Sequence, residues 1–178
     1  SNFRNTAGYD FGKVVPNYIY VRDCKFDNLN GTAKYGIRLV CGQMIWIENN
    51  DICNFTEGVG IRLVNNNPVS DRLSDVYVKN NSIYNNDLSV EVYSTSGTIK
   101  DLDISGNMIT TSEAGSHSAS IQISRVVNPV KGLSIVGNHF KAFRTGVELV
   151  GNLNTQLVDK DTSLVIALDG FNSADFKL

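Results

Sequence analysis

Five segments of the chain repeat one arrangement of apolar and polar positions. They read IYVRDCKF from Ile19, IWIENNDI from Ile45, VYVKNNSI from Val76, LDISGNMI from Leu102 and LSIVGNHF from Leu133. Each begins with two apolar residues two places apart, which is the alternation of a β-strand with one buried face. Asn follows three places later, with Cys in the first segment, and then comes a final apolar residue. The pattern predicts a strand and a bend in every repeat.

A second strand motif lies between these segments. It reads GIRLV from Gly36 and from Gly60, SVEVY from Ser89, SIQIS from Ser120 and GVELV from Gly146. The first motif recurs at spacings of 26, 31, 26 and 31 residues, which leaves room for three short strands and three turns. We therefore predict an all-β fold, a right-handed, single-stranded parallel β-helix of about six rungs with stacked Asn side chains in one bend.

The main alternative is a leucine-rich repeat. Its signature, L-x-x-L-x-L-x-x-N/C-x-L, also describes Leu73 to Ile83 and Ile99 to Ile109. Such repeats continue after the Asn with a helical segment, whereas here an alternating, β-branched strand follows a Gly. The β-helix is therefore the favoured prediction.

The repeats cover residues 19–150, and the flanking segments fit them less well. We interpret residues 1–18 as a partial leading rung without its N-terminal cap, because the open edge of a solenoid needs a cover. Residues 151–178 are interpreted as an irregular last rung or as the junction to another module. No signal-peptide pattern stands at the N-terminus, and no apolar run approaches the roughly 20 residues of a membrane span.

Charge and composition exclude several classes of partner. A net charge of −2 provides no positive field for nucleic acid or for an anionic membrane, so we expect neither nucleic-acid binding nor membrane insertion. Cys24, Cys41 and Cys53 lack metal-ligand spacing and are expected to be buried free thiols. With only His117 and His139 as imidazoles, we expect no metal site and no cofactor.

The repeats resemble a known family. NNDI, NNSI, SGNMI and VGNHF, each between a β-branched strand and a GIRLV-type strand, resemble the pectin-lyase-like superfamily over residues 19–150. The resemblance implies a polysaccharide ligand. The NTD, DD and GHG elements of polygalacturonases and the RxPxxR segment of pectate lyases are missing, and WIEN at Trp46 lacks the His of a WxDH-like element. Those two activities are disfavoured, and the chain is most similar to a fragment of a phage tailspike depolymerase.

The outward positions of the GIRLV-type strands are the first candidate site. They are Arg38, Arg62, Glu91, Gln122 and Glu148. The resemblance implies that this sheet forms the glycan groove, with Arg38, Arg62 and Gln122 binding substrate. Glu91 and Glu148 are two rungs apart, roughly 9.6 Å, near the upper end of the ~6.5–9.5 Å separation of an inverting acid and base. The two arginines would alternatively hold a uronate carboxylate. A third reading is an exposed Arg62–Glu91 ion pair beside a solvated Glu148.

The outward positions of the first strand motif are the second candidate site. Tyr20, Trp46 and Tyr77 follow one another on successive rungs and would form a platform for sugars, an oligomer contact, or a stack without a partner. His117 lies with Glu113 in the long turn that begins at Thr110, beside the expected groove, and is a further candidate for substrate binding.

Two functions remain open at this stage. One is recognition and depolymerisation of a bacterial surface polysaccharide, by hydrolysis rather than by a lyase reaction, within a larger cell-surface or phage tailspike protein. The other is a non-catalytic β-helical shaft that binds glycan or forms a homotrimer. Either function implies an extracellular location or the virion surface.

Overall fold

The computed structural model describes residues 16–65, 73–94, 99–111, 119–124, 130–141, 145–150, 165–168 and 176–177. These ranges contain strands, turns and bends but no helix. The strands are β1 (Asn17–Arg22), β2 (Lys25–Asp27), β3 (Tyr35–Leu39), β4 (Gly42–Glu48), β5 (Asp51–Cys53), β6 (Val59–Asn65), β7 (Leu73–Lys79), β8 (Ser82–Asn86), β9 (Leu88–Ser94), β10 (Ile99–Ser105), β11 (Met108–Thr111), β12 (Ala119–Ser124), β13 (Val130–Lys141), β14 (Thr145–Val150), β15 (Val165–Leu168) and β16 (Phe176–Lys177).

The strands stack in parallel on three faces. The first face has the order β1-β4-β7-β10-β13, with β15 also paired to β13, and the second has the order β2-β5-β8-β11-β13. Both belong to one sheet, because β13 is long enough to join them. The third face is a separate sheet with the order β3-β6-β9-β12-β14-β16. The chain is therefore an all-β parallel solenoid, as predicted, and the helical half of a leucine-rich repeat has no counterpart in the described residues.

The coils are not all equally regular. Four of them contribute a separate strand to each face, whereas β13 serves two faces in the next coil. The described part of the last coil contributes only β15 and β16. The number of complete turns is thus somewhat smaller than the six predicted, which leaves the fold class unchanged. Residues 1–15 and 151–164 lie outside the described residues, so the boundaries proposed for the leading and last rungs stay predictions.

The core consists of inward-facing columns that run from coil to coil. On the first face Ile45, Val76, Leu102 and Leu133 pair in direct register and are at most 1% exposed. On the third face Ile61, Val90, Ile121 and Val147 form the corresponding column. Burial of each such side chain contributes about 1.5–3 kcal/mol, and a branched side chain packs well on the pleated surface of a strand. The alternation read from the sequence is therefore confirmed on both faces.

The bend between the first and second faces holds an asparagine ladder. Asn50, Asn81, Asn107 and Asn138 are at most 2% exposed. The backbone N–H of each of the first three donates to the side-chain Oδ1 of the next at 2.9–3.0 Å, and the side-chain Nδ2 donates to the same oxygen at 2.9–3.0 Å. Each Nδ2 also donates to a strand carbonyl of the preceding coil at 2.8–2.9 Å. The ladder satisfies the buried polar groups of this bend.

The left-handed residue of this bend is not the ladder residue itself. It is the residue before it, namely Asp23, Asn49, Asn80, Gly106 and Gly137, with φ between 54° and 65°. Asn tolerates the left-handed conformation, but the ladder asparagines themselves do not adopt it. The structure separates the two roles, because one position turns the chain and the next supplies the amide that satisfies it.

Candidate functional site

The five predicted polar residues of the third face form one column. Arg38, Arg62, Glu91, Gln122 and Glu148 are direct register partners across β3, β6, β9, β12 and β14. Buried residues flank Arg62 and Glu91 in their own strands, as alternation requires. We refer to these five residues as the charged column.

Arg62 and Glu91 form an ion pair in the middle of the charged column. Arg62 Nε lies 2.8 Å from Glu91 Oε2, and the side chains are 21% and 14% exposed. No aligned hydrogen bond forms at this Nε, so the contact is mainly Coulombic. The guanidinium also lies 5.0 Å from the ring centroid of Tyr35 and 5.4 Å from that of Tyr93, and its Nη1 donates to the Tyr35 hydroxyl. Arg62 is thus held in place and paired with an opposite charge.

Gln122 and Glu148 form the second contact within the column. Gln122 Nε2 donates a hydrogen bond of 2.8 Å to Glu148 Oε2. Glu148 is 8% exposed, so it is not the solvated side chain that one reading of the sequence suggested. Glu91 is thus ion-paired with Arg62, whereas Glu148 accepts a hydrogen bond from the Gln122 amide and stands in register with Lys177 of β16.

Two tyrosines beside the column were not singled out from the sequence. Tyr93 stands two residues after Glu91, so strand alternation would have placed it on the same face. Tyr35 stands an odd number of residues before Arg38, and alternation would have assigned it to the opposite face. Its ring nevertheless lies within 5.6 Å of both the Arg38 and the Arg62 guanidinium carbons. Only the folded chain reveals that contact.

The aromatic column lies on the first face and consists of Tyr20, Trp46 and Tyr77. The Tyr20 and Trp46 centroids are 4.7 Å apart with an angle of 8° between the planes, and those of Trp46 and Tyr77 are 5.6 Å apart with an angle of 20°. The Arg22 guanidinium lies 4.6 Å from the Tyr20 centroid and the Lys79 ammonium 4.9 Å from the Tyr77 centroid. Trp46 therefore has a ring on each side, and a ligand meets mainly ring edges there.

The two columns stand on different sheets, so the predicted substrate-binding residues do not form one site. Their sugar-binding roles stay predictions. His117 and Glu113 lie outside the described residues. The described part of the chain has no group of three or more His, Cys, Asp or Glu suited to a metal ion. It also has no helix that is long and apolar enough to cross a membrane.

A separate polar cluster lies on the second face. A hydrogen bond from Asn54 and an ion pair with Lys25 hold the pKa of Asp27 below its ordinary value. Burial raises the pKa of the Cys53 thiol, and a hydrogen bond with Cys53 raises the pKa of Tyr84. A thiol with a raised pKa is a poor nucleophile, which argues for a structural role of Cys53.

The three cysteines are free, as predicted, but only Cys53 is buried. Cys24 and Cys41 are partly exposed, so the expectation of buried thiols is wrong for these two. Cys24 stands at the first ladder position, where its backbone N–H donates to Asn50 Oδ1.

Comparison of the chain with protein families, with curated proteins and with solved structures gives no match. The fold is therefore established from the strand pairing, and the choice between functions depends on the two columns.

Proposed function

We propose that this solenoid is a polysaccharide-recognition module and that the glycan lies along the charged column of the third face. The observation that supports this proposal is the unbroken register from Arg38 to Glu148, which offers a polar side chain on every coil. Coils about 4.8 Å apart present such groups periodically, as suits an extended polymer of sugars. The resemblance to the pectin-lyase-like superfamily supports the same ligand class and an extracellular or virion-surface location.

Binding to a panel of bacterial capsular and O-antigen polysaccharides tests this proposal. Gln122→Ala removes one amide from the charged column, and Gln43→Ala removes the same group from the first face. We expect the first variant to bind the recognised polysaccharide about two- to thirteenfold more weakly, because the lost hydrogen bond contributes about 0.5–1.5 kcal/mol, and the second to bind like the parent. Equal binding by all three proteins, or no binding to any polysaccharide of the panel, would contradict the proposal.

Depolymerisation is the finer form of this function, with Glu91 and Glu148 as acid and base. The different partners of the two carboxylates support it, since an acid and a base in one site need different surroundings. Glu91→Gln or Glu148→Gln should lower the release of reducing ends at least about a hundredfold. If both variants remain fully active on a substrate that the parent cleaves, Glu91 and Glu148 are not the catalytic residues. The catalytic residues would then be sought among residues 110–119 or at a subunit interface.

A non-catalytic shaft is the second candidate, and the aromatic column favours it. The three rings stack on one another, and a cation lies beside each of the two outer rings, so the column already has stabilising contacts within the chain. If the column binds sugar, Trp46→Ala should raise the glycan concentration needed for saturation, and any cleavage by the parent should continue at a similar turnover rate. If it joins subunits, the same variant should lower the homotrimer content measured by sedimentation. If the parent cleaves no polysaccharide and Trp46→Ala lowers the homotrimer content, the non-catalytic shaft is the correct function.

A further inference from the structure

Two positive charges stand side by side at one end of the charged column. Arg38 and Arg62 are direct register partners on β3 and β6, and both guanidinium groups lie within 5.6 Å of the Tyr35 ring centroid. Like charges directly opposite each other on neighbouring strands destabilise a sheet. The repulsion between the two arginines destabilises the sheet less when an anion neutralises each of them.

Only one of the two arginines has an acidic partner in the described structure. Glu91 pairs with Arg62 from the opposite side, on β9. Arg38 contacts the Tyr35 ring and forms no ion pair with any described residue. Its side chain is exposed, so an anion reaches it without displacing protein. Among the described residues, Arg38 is therefore the positive charge of the column that no carboxylate neutralises.

We propose that Arg38, on the Tyr35 ring, is an oxoanion subsite that takes a carboxylate of the ligand. A guanidinium binds a carboxylate through two parallel hydrogen bonds, and the ring beside it restricts its orientation. A bound anion also relieves the repulsion between Arg38 and Arg62. The subsite deepens the proposed function and rests on it for the identity of the ligand, a glycan that carries acidic sugars.

Side-chain NMR tests the subsite without any assumption about the polymer. Sodium glucuronate is titrated into the protein at constant ionic strength, with glucose as the neutral sugar and sodium sulfate as the anion without a sugar. We expect glucuronate to shift the Arg38 Nε–Hε signal and the Tyr35 ring signals along a saturable curve, and glucose to shift neither. A response to sulfate as well would identify the subsite as one for small oxoanions in general.

Three variants separate this site from ordinary surface charge. Arg38→Gln should weaken glucuronate binding at least about tenfold, because a charge-assisted pair is lost. Arg38→Lys keeps the positive charge but not the planar guanidinium group. Its affinity for glucuronate should lie between those of the parent and of Arg38→Gln. Lys141→Gln removes one positive charge from an exposed side chain on β13 and should bind like the parent.

The outcomes also distinguish the subsite from the proposed function. Shifts that rise linearly with glucuronate, or an Arg38→Gln variant that binds like the parent, would overturn the subsite. Polysaccharide binding that Arg38→Gln leaves unchanged would reject the subsite and retain glycan recognition. Saturable glucuronate binding without binding of any polysaccharide would retain the subsite and reject glycan recognition.

Discussion

Left-handed residues recur inside the strands of the first face as well as in the bend. Tyr18, Met44, Asp75 and Asp101 have φ between 51° and 60°, and Gly132 continues their column at 64°. The register pairs pass over these positions, so each strand contains a local irregularity at the same place. A non-glycine residue in this conformation costs roughly 1–2 kcal/mol, and less for Asp. Because the coils stack in register, the same backbone strain recurs in successive coils.

Met44→Gly should therefore stabilise the fold. Glycine adopts positive φ freely, and after its own entropic cost of about 0.5–1 kcal/mol the net gain should be up to about 1 kcal/mol. Urea denaturation measures the change in unfolding free energy. Met108→Gly is the matched control, since Met108 is also an exposed strand methionine but does not have positive φ. It should lose stability, and a loss of equal size at Met44 would mean that the backbone there is not strained.

Ladder asparagines should be much less tolerant of substitution than exposed ones. Asn81→Leu or Asn107→Leu leaves buried N–H and carbonyl groups without partners, which we expect to cost roughly 1–3 kcal/mol. Asn30→Leu makes the same change in an exposed turn and should have little effect. Unchanged denaturation midpoints for both ladder variants would show that the ladder does not contribute to stability.

At the scale of elements, a second amide system connects the strands of the second face. Asn86 is fully buried, donates to the Ile52 carbonyl and accepts from the Phe55 N–H. An outer row runs beside it, because Asn85 donates to Asn54 and Asn54 donates to Asp27. One Asn column is evident in the sequence repeats, but the folded chain also uses asparagine at the next bend.

The outer row makes stability depend on pH. Because the folded pKa of Asp27 is depressed, its contribution to stability is present above the ordinary pKa and is lost as pH falls through the folded value. Asn54→Gly keeps the backbone conformation at φ 66° but removes the main donor. We expect the Asp27 pKa to rise in a carbon-detected NMR titration. The variant should also lose more stability at pH 7 than at pH 2, and an unchanged titration would exclude this role of Asn54.

Glycine occupies the second position of β3 and of β6 for a steric reason. A Cβ on Gly36 would stand 2.6 Å from the Gly60 carbonyl oxygen, and one on Gly60 would stand 2.9 Å from the Ser89 carbonyl oxygen. Neighbouring coils thus approach closely at this corner. The repeated Gly of the GIRLV motif was visible in the sequence, but the carbonyl that it avoids belongs to another coil.

At the scale of the whole molecule, nearly all strand contacts are between successive coils. Far-UV circular dichroism should accordingly be dominated by β-structure with almost no helical signal, because no segment has helical periodicity. A strong helical spectrum would contradict the solenoid.

The repeat period, the inward columns, the ladder position and the outward columns could all be read from the order of residues along the chain. All of these follow from strand alternation repeated at a nearly fixed spacing, so they are properties of the chain order. The contacts between charged side chains, in contrast, become evident only in the folded chain. Arg62 pairs with Glu91, and Arg38 forms no ion pair within the described part of the chain. Glu148 is buried beside Gln122, and the aromatic column lies on a different sheet from the charged one. These contacts join residues of different coils, and their energies depend on burial and distance, which chain order does not specify.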